Sequence, residues 1–191
     1  MKISKNLSLA IKASLNAGNE ILKIYNKKTI DFELKSDKSP LTTADIAANS
    51  VINNYLVKTK IPIISEENKS IDYKIRKNWK KFWIIDPLDG TKEFIKKNGE
   101  FTVNIALIKD NIPIIGVVYA PFLGDIYYAE ENIGSYKSQL KLINNLSVNE
   151  IINNSKKLPI YKKSKDYNIV VSRSHLDNNT LNFIKEKKII Y

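Results

Sequence analysis

Apolar residues recur every three to four positions over two stretches near the start of the chain. The period over residues 7–25 predicts one helix. A second helical pattern runs from Thr42 to Leu56, and it begins with Thr42 and Thr43, residue types that cap helix N-termini. We therefore predict two N-terminal helices, separated by a polar and turn-rich segment at residues 35–40.

The pattern then changes to short apolar runs. Five runs of strand length follow, at residues 61–64, 82–85, 102–108, 112–119 and 126–129. Lys109-Asp110-Asn111 is typical of a hairpin turn, and Gly124-Asp125 of a second tight turn. Two helices followed by a meander of strands predict the α+β fold class, with the helices packed on a mainly antiparallel sheet.

The last part of the sequence predicts strands that alternate with a helix. Residues 168–171 predict a strand, residues 176–187 a helix, and residues 188–191 the beginning of another strand. This order is typical of α/β structure. We expect one α+β domain over residues 1–165, and over residues 166–191 the start of an α/β C-terminal domain that is truncated.

Composition excludes several classes of protein. With 43% hydrophobic residues the chain can bury a core, so it is not a disordered polyelectrolyte. It contains no cysteine and one histidine, His175, which excludes a disulfide framework and disfavours a zinc site. No apolar run reaches a membrane-spanning length. We expect a cytoplasmic protein, and we leave open a peripheral contact with the cytoplasmic face of the inner membrane and the oligomeric state.

The formal net charge of +11 raises the question of whether the chain binds nucleic acid or a small anion. All but two of the 31 basic residues are lysine, the exceptions being Arg76 and Arg173, and they are scattered along the chain. This is typical of the codon bias of an AT-rich genome, whereas nucleic-acid surfaces favour arginine or interleaved aromatic residues. We expect a small anionic partner and no nucleic acid. A noncatalytic basic domain that binds nucleic acid stays open as the alternative.

Three acidic residues follow two of the predicted strands. Glu66 lies after the run at 61–64, and Asp86 and Asp89 follow the run at 82–85 in the sequence Asp-Pro-Leu-Asp-Gly-Thr. Carboxylates three residues apart across a rigid proline turn can point to one place, where they persist only with a cation or a shared proton between them. Oxygen ligands without cysteine favour Mg²⁺, or alternatively Mn²⁺, over zinc. The alternative interpretation is an ordinary exposed turn.

Five segments together resemble a known family, the lithium-sensitive and Mg²⁺-dependent phosphatases of the inositol monophosphatase superfamily. They are residues 35–45 (KSDKSPLTTAD), 64–67 (ISEE), 83–107 (WIIDPLDGTKEFIKKNGEFTVNIAL), 116–121 (GVVYAP) and 171–175 (VSRSH). The resemblance covers essentially the whole chain. Lys92-Glu93-Phe94, followed by residues 98–101 (NGEF), resembles the 3′(2′),5′-bisphosphate nucleotidase branch of the CysQ type.

The resemblance implies a role for each motif residue. Glu66, Asp86 and the backbone carbonyl of Leu88 would hold one Mg²⁺, and Asp86 and Asp89 would share a second, with Li⁺ as an inhibitor. Asp45 and Thr91 would orient and deprotonate the attacking water; the alternative for Asp45 is a plain helix-start carboxylate.

The substrate contacts are implied in the same way. Glu66 and the four residues Leu88, Asp89, Gly90 and Thr91 would contact the phosphate. His175 would lie near the nucleoside, unless it is a cap or surface residue. Lys35 would help to hold the phosphate or a mobile loop.

The resemblance also sets the expected reaction. Residues 1–165 would be the metal- and phosphate-binding domain of a layered fold like that of the sugar phosphatases, with the second α/β portion incomplete. The chain would hydrolyse adenosine 3′,5′-bisphosphate to AMP and phosphate; an inositol monophosphatase-type sugar phosphatase is the alternative. The family motif Trp-Asp-x-x-Ala-Gly does not occur, because no tryptophan follows Trp83. We therefore expect impaired activity in the truncated chain.

Overall fold

The computed structural model describes residues 2–37, 39–140, 147–160, 169–171 and 176–187. It divides into two compact units, Met1–Pro159 and Ile160–Tyr191. The predicted domain boundary after residue 165 falls within residues 161–168, outside the described residues, so the predicted division stays a prediction. None of the described helices combines the length and the apolar character needed to cross a membrane.

The first unit contains helices and strands in alternating groups. The helices are α1 (Lys5–Tyr25), α2 (Thr43–Leu56), α3 (Tyr73–Arg76), α4 (Thr91–Ile95) and α5 (Val148–Asn153), with a 3₁₀ turn over Val57–Thr59. The strands are β1 (Phe32–Leu34), β2 (Pro40–Thr42), β3 (Ile63–Ser65), β4 (Lys81–Asp89), β5 (Thr102–Lys109), β6 (Ile112–Ala120), β7 (Asp125–Glu130), β8 (Gly134–Gln139) and β9 (Lys156–Lys157). The second unit contains α6 (Asn178–Lys187).

Seven of these strands form one sheet in the order β3-β4-β5-β6-β7-β8-β9. Every neighbouring pair is antiparallel except β3 and β4, which are parallel. The predicted hairpin turn is present, with Asp110 and Asn111 both at positive φ. The α+β class and the mainly antiparallel sheet are therefore confirmed.

Helices α1 and α2 pack on one face of this sheet, α1 against β5 and β6 and α2 against β4. Alanines on both helices are fully buried, which lets the helix axes approach closely. Gly18 on α1 shows how close the sheet lies, because a Cβ there would fall 2.3 Å from the Tyr119 ring on β6. Thr42 caps α2 as predicted: its hydroxyl accepts hydrogen bonds from the backbone N–H groups of Ala44 and Asp45.

The structure corrects two sequence predictions. The strand predicted at 82–85 does not end there but continues as β4 through Asp89. Pro87 is tolerated because it lies in a bulge, where the ladder needs no N–H donor. The strand predicted at 168–171 is absent from its described residues, 169–171, which pair with no described strand, and Val170 is fully exposed.

Two isoleucines of α2 test how the helices hold the fold. Ile52 is fully buried, whereas Ile46 on the same helix is 55% exposed. Ile52→Ala should lower the free energy of unfolding by about 2–5 kcal/mol, and Ile46→Ala by less than about 0.5 kcal/mol. Urea unfolding followed by circular dichroism measures both, and equal losses in the two variants would contradict this packing.

Candidate active site

The bulge in β4 brings two acidic side chains to one face of the sheet. Asp86 lies opposite Asn104 and Asp89 opposite Thr102, so three steps on β4 match two steps on β5. Side chains three apart on a regular strand point to opposite faces, whereas the extra residue of a bulge restores a common face. The two carboxylates are thereby directed to the same side of β4.

Of these two aspartates, Asp86 is the one with a buried carboxylate oxygen that lacks a hydrogen-bond partner within the described ranges. Its Oδ1 atom is buried and has no hydrogen-bond partner in the described part of the chain. Burial raises the pKa of Asp86 to about 7, helped by the negative charges of Glu66, Asp89 and Asp45 and opposed by a hydrogen bond from the Leu88 backbone. A buried oxygen of this kind is unfavourable unless a proton or a cation binds it.

Glu66 and Asp89 are each engaged elsewhere. Glu66, half-exposed, accepts a hydrogen bond from the Lys35 ammonium at 2.8 Å. Asp89 Oδ2 accepts one from Asn104 Nδ2 at 3.2 Å, and Asn104 Oδ1 in turn accepts one from the Thr102 hydroxyl at 3.1 Å. Both carboxylates are near enough to raise the pKa of Asp86, but they are turned toward other partners.

These contacts test the predicted metal site only in part. Across the described ranges, no three acidic or histidine side chains form a group that could hold a metal ion. The implied ligand sets therefore stay a prediction: Glu66, Asp86 and the Leu88 carbonyl for one ion, and Asp86 with Asp89 for a second. The chemistry of the donors nevertheless fits a hard divalent cation, because an unpartnered buried carboxylate oxygen lies beside two further carboxylates.

Lys35 links the hairpin β1–β2 to this site. Its ammonium also contacts Glu67 Oε1 at 2.6 Å, so it bridges two adjacent glutamates. Burial alone would lower the pKa of Lys35, but the hydrogen bonds and charges of Glu66 and Glu67 raise it overall. Burial raises the pKa of Glu67, and Lys35 opposes that shift. The Lys35 ammonium thus lies against the oxygen that Glu66 would offer to a metal.

Asp45 and Thr91 come together from positions 46 residues apart. Thr91 Oγ1 lies 3.0 Å from Asp45 Oδ1 and 3.2 Å from the Leu88 carbonyl oxygen, and its single proton can go to either. Asp45 is almost completely buried, and its Oδ2 accepts hydrogen bonds from the Thr42 backbone N–H and hydroxyl. Burial raises the pKa of Asp45, partly offset by the hydrogen bonds from Thr42 and Thr91.

Gly90 makes the turn between β4 and α4 possible. Its φ of +92° lies in the left-handed region, and a Cβ would fall 2.7 Å from the backbone oxygen of Glu100. The glycine therefore lets the chain turn directly after Asp89, so that Thr91 begins α4 and reaches back to Asp45.

A cavity of about 460 Å³ opens beside these groups. Glu66, Asp86 and Asn104 line its polar part, and the sheet residues Ile84 and Gly116 are among those that line its apolar part. The predicted substrate residue His175 lies outside the described residues.

Comparison with known proteins identifies the family to which this arrangement belongs. The profile described as "Inositol monophosphatase family" matches residues 2–189. The chain belongs to this family.

Two named members of this family are similar to the chain. The chain is 40% identical over 187 residues to the 3′(2′),5′-bisphosphate nucleotidase CysQ of Buchnera aphidicola, with 96% of this chain and 65% of that protein covered. It is also 40% identical over 174 residues to the protein of that name from Escherichia coli K12, with 90% and 65% covered. The chain thus spans slightly less than two thirds of the length of these relatives, 65% in each case.

Solved structures support the same assignment. The crystal structure of CysQ from Bacteroides thetaiotaomicron superposes with a TM-score of 0.83 at 43% identity, with 96% of this chain and 68% of that chain covered. The extragenic suppressor protein SuhB from Bartonella henselae superposes with a TM-score of 0.64 at 28% identity, with 70% and 52% covered. The layered fold of the inositol monophosphatase family is therefore confirmed, and members of this family are metal-dependent.

Several polar residues around the candidate site were not predicted from the sequence. Asn104, which contacts Asp89, lies opposite Asp86 in the structure, and its only sequence signal is a polar residue between the apolar residues of the predicted strand at 102–108. Glu67, which holds Lys35, is adjacent to a predicted ligand but belongs to no pattern of its own. Asn49 contacts Ser65, and its only signal is its place one turn after Asp45 on α2.

Asp86→Asn tests the buried carboxylate. The pKa of about 7 in the folded protein lies above the ordinary aspartate value of 3.8, so the folded state loses stability as pH rises from about 4 to about 7. At pH 8, in EDTA, Asp86→Asn should raise the unfolding temperature by a few degrees because it removes an unpaired charge. It should also abolish the stabilisation that Mg²⁺ gives the unsubstituted protein. Differential scanning calorimetry measures both effects, with Asp31→Asn as the exposed control; Mg²⁺ stabilisation retained by Asp86→Asn would contradict this role.

Lys35→Met tests whether the ammonium competes with a cation at Glu66. We expect Mn²⁺ to bind about fivefold more tightly, since the hydrogen bond to a half-exposed carboxylate is worth about 1 kcal/mol. Isothermal titration calorimetry gives the affinity. Lys23→Met is the matched control because Lys23 forms an exposed ion pair with Glu20. Weaker binding to Lys35→Met than to Lys23→Met would refute the competition.

Proposed function

We propose that this chain provides the metal- and phosphate-binding machinery of a Mg²⁺-dependent 3′(2′),5′-bisphosphate nucleotidase. The substrate proposed is adenosine 3′,5′-bisphosphate, which is hydrolysed to AMP and phosphate. The observation that carries the proposal is the contact between Thr91 and Asp45 beside the unpartnered Asp86 oxygen. The nucleotidase name of the relatives at 40% identity favours this substrate over an inositol phosphate.

The proposed metal ligands are those that the family resemblance implies. Glu66, Asp86 and the Leu88 carbonyl would hold one Mg²⁺, and Asp86 and Asp89 would share a second. Bound Mg²⁺ would lower the pKa of a water molecule and neutralise charge on the phosphate. Mn²⁺ is the proposed alternative ion and Li⁺ the proposed inhibitor.

The chain's own groups supply the proton transfer in this proposal. The Thr91 hydroxyl accepts a hydrogen bond from the attacking water and donates its own proton toward Asp45 Oδ1, which lies 3.0 Å away. Burial raises the pKa of Asp45 and so makes it a stronger base. The water oxygen bonds to phosphorus as the bond from phosphorus to the 3′ oxygen breaks. The electron pair of that bond stays on the 3′ oxygen, which takes a proton from solvent water and leaves as the 3′ hydroxyl of AMP. Contacts of the phosphate with Glu66 and with residues 88–91 complete the proposed site.

The proposed assignment also concerns the charge of the substrate and the location of the protein. A small anionic substrate suits a chain of net charge +11. A cytoplasmic location is proposed, whereas no observation supports the peripheral membrane contact or a nucleic-acid partner.

Phosphate release tests the reaction and its substrate. With Mg²⁺, release from adenosine 3′,5′-bisphosphate should be faster than from inositol 1-phosphate, and Li⁺ should inhibit it. Thr91→Val and Asp45→Asn should each lower kcat by about 100-fold or more, because each interrupts the proton transfer. Thr29→Val is the matched control, since Thr29 is exposed and lies in no helix or strand. Preference for inositol 1-phosphate would overturn the nucleotidase assignment, and unchanged kcat in both site variants would overturn the roles of Thr91 and Asp45.

A further inference from the structure

The turn that carries Glu66 lies at an edge of the sheet. It follows β3, a strand of three residues that pairs with β4 and has no second neighbour among the described strands. The backbone hydrogen bonds of the turn are long: Glu66 N to Ile85 O and Asn68 N to Ser65 O are both 3.3 Å. The backbone alone therefore holds Glu66 only weakly.

Three asparagine side chains close a ring of hydrogen bonds between α2 and this turn. Asn49 Nδ2 donates to Asn68 Oδ1 at 2.9 Å, Asn68 Nδ2 to Asn53 Oδ1 at 3.2 Å, and Asn53 Nδ2 to Asn49 Oδ1 at 2.8 Å. We call these residues the amide triangle. The hydroxyl of buried Ser65 also donates to Asn49 Oδ1 at 2.7 Å, so both residues that flank Glu66 and Glu67 are attached to α2.

The helix that bears two members of the triangle also bears Asp45. Asn49 lies one turn after Asp45 on α2, and Asn53 one turn further. Partly buried amides are unfavourable unless they are paired, and here each side-chain carbonyl and each amide group has a partner within the ring. Two of the three bonds join the helix to the turn, and the third, from Asn53 to Asn49, lies within α2. Apolar side chains could join the two elements equally well, but hydrogen bonds also fix their relative position.

We propose that the amide triangle is a positioning device that holds Glu66 at a set place relative to Asp45. Asn49, Asn53 and Asn68 touch no reacting atom in the proposed mechanism and act through the turn. The inference deepens the proposed function and rests on it, because Glu66 is there a metal ligand. Removal of the triangle should therefore weaken metal binding before it affects folding.

The test compares asparagines on one helix. Asn49→Ala should weaken Mn²⁺ binding about tenfold or more, the usual effect of losing a group that orients a metal ligand. Asn54→Ala is the matched control, since Asn54 is an exposed residue of α2, and it should change the affinity less than about twofold. Alanine is the best helix former, so neither variant should unfold α2. Electron paramagnetic resonance of free Mn²⁺ measures the affinity without any turnover.

A second pair of variants keeps the inference testable if Asn49→Ala does not fold. Ser65→Ala removes the hydroxyl contact with Asn49 and a longer one, 3.3 Å, with the Glu67 backbone N–H, and it should weaken Mn²⁺ binding. Ser65→Thr keeps the hydroxyl and should restore the binding. Hydrogen exchange of the backbone amides at 66–68 should be faster in Ser65→Ala and unchanged in Ser65→Thr.

The outcomes separate the two proposals. If the unsubstituted protein binds no Mn²⁺, the proposed function is overturned, and the inference that rests on it falls as well. If the unsubstituted protein and folded Asn49→Ala bind Mn²⁺ equally, the triangle only joins the helix to the turn, and the positioning role alone is overturned. Equal binding by Ser65→Ala and Ser65→Thr would likewise overturn the positioning role.

Discussion

An extra residue in β4 is the constraint on which the rest of the site depends. Without this bulge Asp86 and Asp89 would point to opposite faces of the sheet. With it, two like charges share one side, and one oxygen of Asp86 is buried without a partner among the described residues. The fold thus holds two negatively charged carboxylates close together, and a bound proton or cation reduces the repulsion between them. Repulsion of this kind is usual where a protein binds a metal or carries out catalysis.

The surrounding residues supply positive charge or hydrogen bonds to the carboxylates of the site. Lys35 supplies positive charge to Glu66 and Glu67, and Asn104 holds Asp89 from the next strand. The carboxylate of Asp45 accepts hydrogen bonds from Thr42 and Thr91. The ammonium of Lys35 is carried on a flexible four-carbon stem, so it can leave when a divalent cation binds. The charge of Glu66 can therefore be balanced whether or not a cation is bound.

The sequence predicted the parts of the fold that have a regular hydrophobic period. Helices α1 and α2 and strands β4 to β7 follow from that period, because each buries a long apolar face. The hairpin β1–β2 was missed because its strands have three residues each and those of β1 are exposed. The extent of β4 was also missed, since Asp-Pro-Leu-Asp is typical of a turn when considered locally and becomes a bulge only against β5.

The site was predictable in its residue types but not in its contacts. The acidic motif points to a hard cation, and the family resemblance added the pairing of Asp45 with Thr91. Lys35 meets Glu67 across 32 positions, and Asn49 meets Asn68 across 19, so no local pattern indicates either contact.

The most direct test of a shared metal site is a crystal structure of the protein soaked in Mn²⁺, with the ion located by anomalous scattering. We predict a peak between the carboxylates of Asp86, Glu66 and Asp89, with the Lys35 ammonium withdrawn from Glu66. An ion bound elsewhere, with these three carboxylates unchanged, would contradict the shared site.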